Sequence, residues 1–373
     1  MAPVACALQD GGHEVAFATA ERFGLRVARA GFRTFPAGLG PGQVVERTLA
    51  LPGVAGPGSQ DAWRFGAQMF AAVAAPAKVP DLLGVVDEWR PDLLIHDITD
   101  FAGPPAAAHA GIPCVAHSLG PMFPLELHRL GAELVAPVWQ ELGKTAGPLG
   151  GMFGELYLDI CPPSLQSDDI EELRAEVQQV RSVPFDAVGD EALPAWAAEL
   201  AGRPTVYVTL GTLDNDAPGV IEAAVEGLRD QPVNVVVTVG PSRDPDELGM
   251  QPPNVHVERY VPQSLLLPHC DVVVTHGGSG TTLAALARGL PLLLLPQGAN
   301  QFWNAERCAA LGVGTRLLPG EADAGSVGRA VIALLEQPGF RDRARLVAAE
   351  IGRMPAPLDV VSRLEEIAAA PRR

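Results

Sequence analysis

Lysine is almost missing from this 373-residue chain: only Lys78 and Lys144 occur, and 27 basic residues stand against 44 acidic ones, a formal charge of −17. That balance repels a nucleic-acid backbone or an anionic membrane unless a basic patch intervenes, and no basic run is present. Cysteine is scarce as well. Cys6, Cys114, Cys161, Cys270 and Cys308 are odd in number, far apart and without a C-x-x-C pair, which argues against a disulfide framework and for reduced core thiols. The longest apolar run, around Leu292–Leu295, falls well short of the roughly 20 residues that cross a bilayer. Met1 to Gly12 lacks both the basic start and the continuous apolar stretch of a secretory signal. A cytoplasmic protein with no nucleic-acid partner and no stable membrane insertion is expected. The dinucleotide fingerprint G-x-G-x-x-G and the P-loop G-K-[ST] are absent too, which disfavours a nicotinamide oxidoreductase.

What is present is apolar material and turn residues. Hydrophobic residues make up 47% of the chain, and its 40 glycines and 35 prolines are dispersed rather than clustered. Such a composition folds, and the length suits about two domains. Short β-rich runs alternate with Ala- and Leu-rich stretches: His13–Thr19, Leu93–His96, Cys114–Ser118, Thr205–Leu210, Asn234–Val239, Val272–Thr275 and Leu292–Leu295. Alternation of this kind predicts parallel α/β domains. The prolines at 184, 194 and 204 mark a connection between halves. The expected division is 1–190, 191–355 and a C-terminal helix over 356–373 packing back on the first domain.

The first half starts unusually. Ala2 to Gln9 reads as a helix closed by Gly11 and Gly12, before any strand. A doubly wound domain ordinarily opens with a mid-sheet strand, and no later apolar run obviously replaces it. The expectation is that a strand and loop of about 15 to 20 residues would precede this helix.

The second half carries a recognisable constellation. His276-Gly277-Gly278-Ser279-Gly280-Thr281 follows an apolar strand and precedes a good helix. Glycines let a backbone approach an anion, and the helix N-terminus supplies unpaired N–H groups. The form suits a diphosphate, and His276 adds a donor. Thr209-Leu-Gly-Thr212 ends another strand, Tyr260-Val261-Pro262-Gln263 lies upstream, and Pro296-Gln-Gly-Ala-Asn300-Gln301 follows a third buried run. These turns are expected to converge at the carboxyl ends of parallel strands.

That ordered set resembles the family 1 glycosyltransferases of GT-B fold, in the bacterial branch that decorates natural products. The likeness extends to Gly12-His-Glu-Val15, Pro91-Asp-Leu with Asp97, Gly111-Ile-Pro113 and Met354-Pro355. It implies two Rossmann-like, doubly wound parallel-sheet domains facing a crevice. It also implies transfer of a sugar, a deoxysugar in particular, from a nucleoside diphosphate donor, thymidine diphosphate above all, to a hydrophobic acceptor with inversion. The nucleotide sugar is then a substrate, with no cofactor and no metal. Carried over residue by residue, Tyr260 stacks the base, the Val261 backbone meets its edge and Gln263 lies near the ribose. His276, Gly277, Gly278, Ser279, Gly280 and Thr281 grip the diphosphate, with Thr212 close by. Asn300 and Gln301 meet the sugar, where the family usually has Asp-Gln.

Catalysis is less complete. The family's base is a histidine in the loop after the first strand, which would lie ahead of Met1. The partner acid corresponds to Asp97, with Asp100 as its rival and His96 and His117 as substitute bases. His13 is expected in a buried or capping role. Met122 and Phe123 belong to an apolar stretch expected to line the acceptor cleft. A donor-binding auxiliary protein without turnover, or another GT-B enzyme such as a nucleotide-sugar epimerase, stands as the alternative. The oligomeric state stays open, a homodimer included.

Overall fold

The computed structural model describes residues 1–54, 62–185, 192–211, 219–240 and 243–370. The chain forms two units: Met1–Cys161 with Gln166–Arg181 and Met354–Arg373, and Ser182–Arg353 with the short excursion Pro162–Leu165. The chain therefore passes between units at Arg181/Ser182 and Arg353/Met354. The four-residue excursion has no signal in the sequence.

In the second unit, six parallel strands lie in the order β12 (Gly314–Arg316), β11 (Leu292–Leu294), β10 (Val272–Thr275), β7 (Thr205–Thr209), β8 (Asn234–Thr238) and β9 (Val255–Glu258). Read by chain order this is the 3-2-1-4-5-6 arrangement of a doubly wound domain, with β7 as its central first strand. Every residue of β7, β8, β10 and β11 is buried, as a parallel sheet covered on both faces demands. The core packs Val206, Val208, Val235, Val237, Val272 and Val274 against Ile221, Leu228, Val327 and Val331 from the covering helices. Two of those helices approach closely, because a Cβ on Gly227 would lie 2.2 Å from the carbonyl oxygen of Ala324.

The first unit has the same kind of element but a divided sheet. β1 (Ala16–Thr19) pairs in parallel with β2 (Arg33–Pro36), while β3 (Leu94–Asp97), β4 (Cys114–His117), β5 (Leu156–Asp159) and β6 (Val177–Gln179) form a separate parallel sheet. The helix Ala2–Asp10 precedes β1, and Gly12 leaves it in the left-handed region at φ 89°. Its Val4 packs with Val115, Leu156, Leu158 and Val180, and with Val360, Leu364 and Ile367 near the C-terminus.

Several expectations need correcting. His13 is not buried: its half-exposed ring lies 2.9 Å from Glu365, 352 positions away, while its backbone N–H donates to the Leu8 carbonyl oxygen at 3.0 Å and caps the end of the helix Ala2–Asp10. β2, β5, β6, β9 and β12 escaped the reading, being three or four residues long and, in β2 and β12, partly polar. The helical run Ala62–Trp89 also escaped the reading: broken by Arg64, Lys78, Asp81 and other polar residues, it is long and apolar enough to cross a bilayer by length and composition. Its apolar character has a local cause: Ala67, Ala71, Ala75, Val79, Leu82 and Val86 form a stripe at helical spacing and are all buried in this unit. A π-helical stretch, Gln68–Ala74, lies within that run.

Candidate functional site

Parallel registry brings the turns of the second unit together. Thr275, the last residue of β10, stands level with Thr209, the last of β7. The chain after each therefore leaves the same edge of the sheet. Gly211 takes φ 84°, which only glycine adopts freely, and a Cβ there would sit 2.7 Å from Cε1 of His276. On the other side, a Cβ on Gly278 would sit 2.5 Å from Nε2 of the same ring. The imidazole is thus flanked by two glycines. Burial lowers its pKa to about 4, so the ring is neutral across the physiological range and carries one N–H to donate.

Gly277, at φ 88°, turns the chain into the helix Ser279–Ala287. No side chain among the described residues caps that helix at Gly278. Its first N–H groups therefore point outward with the positive end of the helix dipole. A Cβ on Gly280 would meet nothing within 4 Å, so open space lies over that turn. Gln263 donates from Nε2 to Thr281 Oγ1 at 3.3 Å, tying the Tyr260–Gln263 turn to the same helix end. Val261 is buried, whereas Tyr260 keeps 45% of its surface exposed.

The Asn300–Gln301 pair is more committed than its sequence suggests. Asn300 Nδ2 donates to Ser279 Oγ at 2.9 Å. Gln301 is buried, and its Oε1 accepts from the backbone N–H groups of Gln297 and Gly298 at 2.7 and 3.0 Å. Its side-chain acceptor is therefore spent on the turn, and only Nε2 remains to meet a ligand. Asn304 was missed entirely. Buried on the helix Gln301–Leu311, it donates to the Gly277 carbonyl at 2.7 Å and to Ser279 Oγ at 3.0 Å, holding the glycine turn in place. Its position one helical turn after Asn300 was the available signal. Thr212 lies outside the described residues.

In the first unit, Asp97 ends β3 and its Oδ1 holds the following turn by accepting from the Thr99 N–H at 2.7 Å and from the Thr99 hydroxyl. Burial raises its pKa, partly countered by those two hydrogen bonds. Asp100 is differently placed. Burial pushes its carboxyl up, but Lys78 Nζ at 2.6 Å outweighs that and leaves it below the ordinary value. The rivalry between the two carboxylates thus has a structural basis: Asp100 is committed to Lys78 and to the Ala102 N–H, Asp97 to its own turn. His96 and His117 are buried, each with Nδ1 against a backbone carbonyl oxygen at 2.9 and 2.7 Å. Burial lowers the His117 pKa to about 3. Met122 and Phe123 are 3% and 6% exposed, members of the core rather than of an open surface.

Two carboxylate pairs, Asp214-Asn-Asp216 and Asp244-Pro-Asp246, have the D-x-D spacing found in metal-dependent transferases. The first lies outside the described residues. In the second, Asp244 accepts from the Asp246 N–H and caps a short turn. No cluster of three or more potential metal ligands occurs among the described residues.

Comparison with known proteins agrees with this arrangement. Residues 57–211 match the N-terminal domain, and 224–367 the C-terminal domain, of the Erythromycin biosynthesis protein CIII-like family. The chain is 34% identical over 371 residues to an L-demethylnoviosyl transferase of Streptomyces niveus, covering 98% of this chain and 93% of that one. The glycosyltransferase SnogD from Streptomyces nogalater superposes with a TM-score of 0.81 at 32% identity, over 99% of this chain and 95% of that one. SsfS6 of Streptomyces sp. SF2575, a glycosyltransferase solved with thymidine diphosphate, gives 0.81 at 28% identity, over 98% and 95%. With both halves matched, the chain belongs to the Erythromycin biosynthesis protein CIII-like glycosyltransferases, a bacterial natural-product branch of family 1 with the GT-B fold.

Proposed function

We propose that this glycosyltransferase uses a thymidine diphosphate sugar, a deoxysugar by preference, and moves the sugar to a hydroxyl of a hydrophobic natural product with inversion. The observation that carries the donor half is the His276 ring flanked by Gly211 and Gly278, beside a helix end that no side chain among the described residues caps and with open space over Gly280. A neutral imidazole N–H and the amides of Ser279 to Thr281 match a diphosphate in charge and geometry. Tyr260 stacks the base, Val261 and Gln263 fix the nucleoside, and Asn300 with Gln301 Nε2 meets the sugar. The thymidine diphosphate bound to SsfS6 supports the choice of nucleotide.

In the reaction, the acceptor oxygen loses its proton to a base and bonds to the anomeric carbon as the bond from that carbon to the diphosphate oxygen breaks. Negative charge grows on the departing diphosphate, where His276 and the helix N-terminus stabilise it. A single displacement inverts the anomeric centre. Asp97 is the acid that orients the base. The acceptor class is supported by relatives named for sugar transfer to natural products, an elloramycin glycosyltransferase of Streptomyces olivaceus among them.

Thermal unfolding with thymidine diphosphate, uridine diphosphate and NAD, each in excess, tests the donor assignment, because a ligand that binds only the folded state raises the midpoint. A shift with thymidine diphosphate and none with NAD is expected. Equal midpoints in all conditions would remove the donor site.

A further inference from the structure

A neutral imidazole holds one proton on one of its two nitrogens, and only that nitrogen can donate. The two nitrogens of His276 stand in different surroundings. Nδ1 lies 3.3 Å from the hydroxyl oxygen of Thr275, the fully buried last residue of β10. Nε2 lies across the ring, where a Cβ on Gly278 would stand 2.5 Å away and one on Gly211 3.1 Å away. Nε2 has no hydrogen-bond partner among the described residues, and it is not one of the unpartnered atoms sealed from solvent. It is the nitrogen left for a ligand.

Thr275 decides which nitrogen carries the proton. Its Oγ1 also accepts from the Gly277 N–H at 3.4 Å, and a backbone N–H can only donate. The end of β7 is built alike, with Thr209 Oγ1 accepting from the Gly211 N–H at 3.3 Å, but Leu210 stands there in place of a ring. Gly277 and His276 are the only partners of the Thr275 hydroxyl among the described residues. Its own proton thus has one acceptor, Nδ1. The opposite tautomer fails twice. A proton on Nδ1 would give Oγ1 two donors and strand the hydroxyl proton in a residue with no exposed surface, an unsatisfied buried donor of the kind folded proteins rarely contain. It would also leave Nε2 with a bare lone pair, which repels an anion.

We propose that Thr275 is a positioning residue for the transfer reaction: its hydroxyl donates to Nδ1 of His276, holds the ring proton on Nε2 and aims that N–H at the diphosphate of the donor. The inference rests on the donor reading above, in which His276 meets the diphosphate. Thr275 acts through the ring rather than on the ligand. An imidazole with neither nitrogen bonded exchanges its proton between the two and turns about its Cβ–Cγ bond. A hydrogen bond at one nitrogen fixes what the other presents. The donor is then in place before negative charge grows on the departing diphosphate, which is the condition for electrostatic stabilisation without reorganisation.

Proton–nitrogen correlation spectra of the whole chain, labelled with nitrogen-15 in its 8 histidines, test this directly, because a protonated and a bare ring nitrogen resonate far apart. His276→Ala assigns the cross-peaks. In the chain without nucleotide, Nδ1 of His276 should resonate as a bare, hydrogen-bonded nitrogen and Nε2 as a protonated one. Thr275→Val keeps the shape and removes the hydroxyl. It should move the Nδ1 resonance to that of a nitrogen without a donor and weaken thymidine diphosphate by about three- to tenfold in titration calorimetry, the effect of one neutral hydrogen bond. Thr275→Ser should restore both. Because Thr275→Val also strands the Gly277 N–H, affinity alone would not separate a freed ring from a shifted turn; the ring spectrum does. A proton on Nδ1 in the unaltered chain overturns the proposal, and that spectrum needs no variant to fold. So does an Nδ1 resonance that Thr275→Val leaves in place, or one that Thr275→Ser does not bring back. If Nδ1 moves in Thr275→Val while thymidine diphosphate binds as before, the ring does not serve the nucleotide, and the donor reading fails instead.

Discussion

His276 and Gly278 fit together only because one carbon is missing: a Cβ on residue 278 would stand 2.5 Å from Nε2 of the ring. Gly278 itself has φ −61° and ψ 139°, a conformation open to any residue. Gly278→Ala therefore adds no backbone strain and acts by displacing the imidazole, at an overpacking cost of about 1–3 kcal/mol. Thymidine diphosphate affinity should fall roughly tenfold, equivalent to about 1.4 kcal/mol, by titration calorimetry. Wild-type affinity in this variant would mean that the ring position does not matter to the nucleotide.

Removing the ring altogether should cost more. A hydrogen bond to a charged group contributes about 1.5–3 kcal/mol, so His276→Ala should weaken thymidine diphosphate by one to two orders of magnitude while the far-ultraviolet circular dichroism stays unchanged. Because burial holds the ring neutral down to about pH 4, protonation of this histidine should leave the affinity flat between pH 8 and 5.5.

His128 is an apolar position occupied by a polar side chain. It is fully buried between Phe101 and Phe153, and neither ring nitrogen has a hydrogen-bond partner among the described residues. An unsatisfied buried polar group costs about 1–3 kcal/mol. His128→Leu should therefore stabilise the protein by about that amount in urea unfolding. A loss of stability would reveal a partner for the imidazole.

Acid should destabilise the fold before it reaches the ordinary carboxylate range. His117 and His128 are lowered by burial to about 3, against 6.5 in the unfolded chain. The unfolded state then binds more protons, and stability falls as pH drops below 6.5. Asp159 works the other way: burial raises it to about 6, so the folded state holds its proton between 6 and the usual 3.8. From pH 6.5 to 5.0 each histidine removes about 1.6 kcal/mol and Asp159 returns about 1.2 kcal/mol. With His276, lowered by burial to about 4, removing about a further 1.6 kcal/mol, a net loss of about 3.6 kcal/mol is expected in urea titrations at the two pH values, and His128→Leu should cut it by a little under half. Equal stability at both would contradict the burial of these rings.

Lys78 and Asp100 form a largely buried pair, each about one-fifth exposed. Lys78→Met strands the carboxylate, and breaking a buried pair from one side costs about 3–5 kcal/mol. The double variant Lys78→Met, Asp100→Leu should recover most of that loss, as measured by chemical denaturation.

The donor half of the protein was legible because its signals are local. A run such as Asp271-Val-Val-Val-Thr275 followed by His-Gly-Gly-Ser-Gly states a buried strand, a tight turn and a helix start within a dozen residues, and the structure has that sequence of elements. The first unit was read less well. β5 follows directly on the apolar stretch that holds Met122 and Phe123 and merges into it, β6 is Val-Gln-Gln, and β2 is half polar.

The sequence by itself determined the parallel α/β class and the glycine turn at 277–278, because period, propensity and turn chemistry depend on near neighbours. Tertiary structure alone decided the rest. Which of Asp97 and Asp100 is tied to a lysine depends on Lys78, 22 positions from Asp100. That Gly211 makes room for His276 and that His13 meets Glu365 both follow from packing between distant segments. Such contacts are set by where whole elements come to rest, and no spacing along the chain records them.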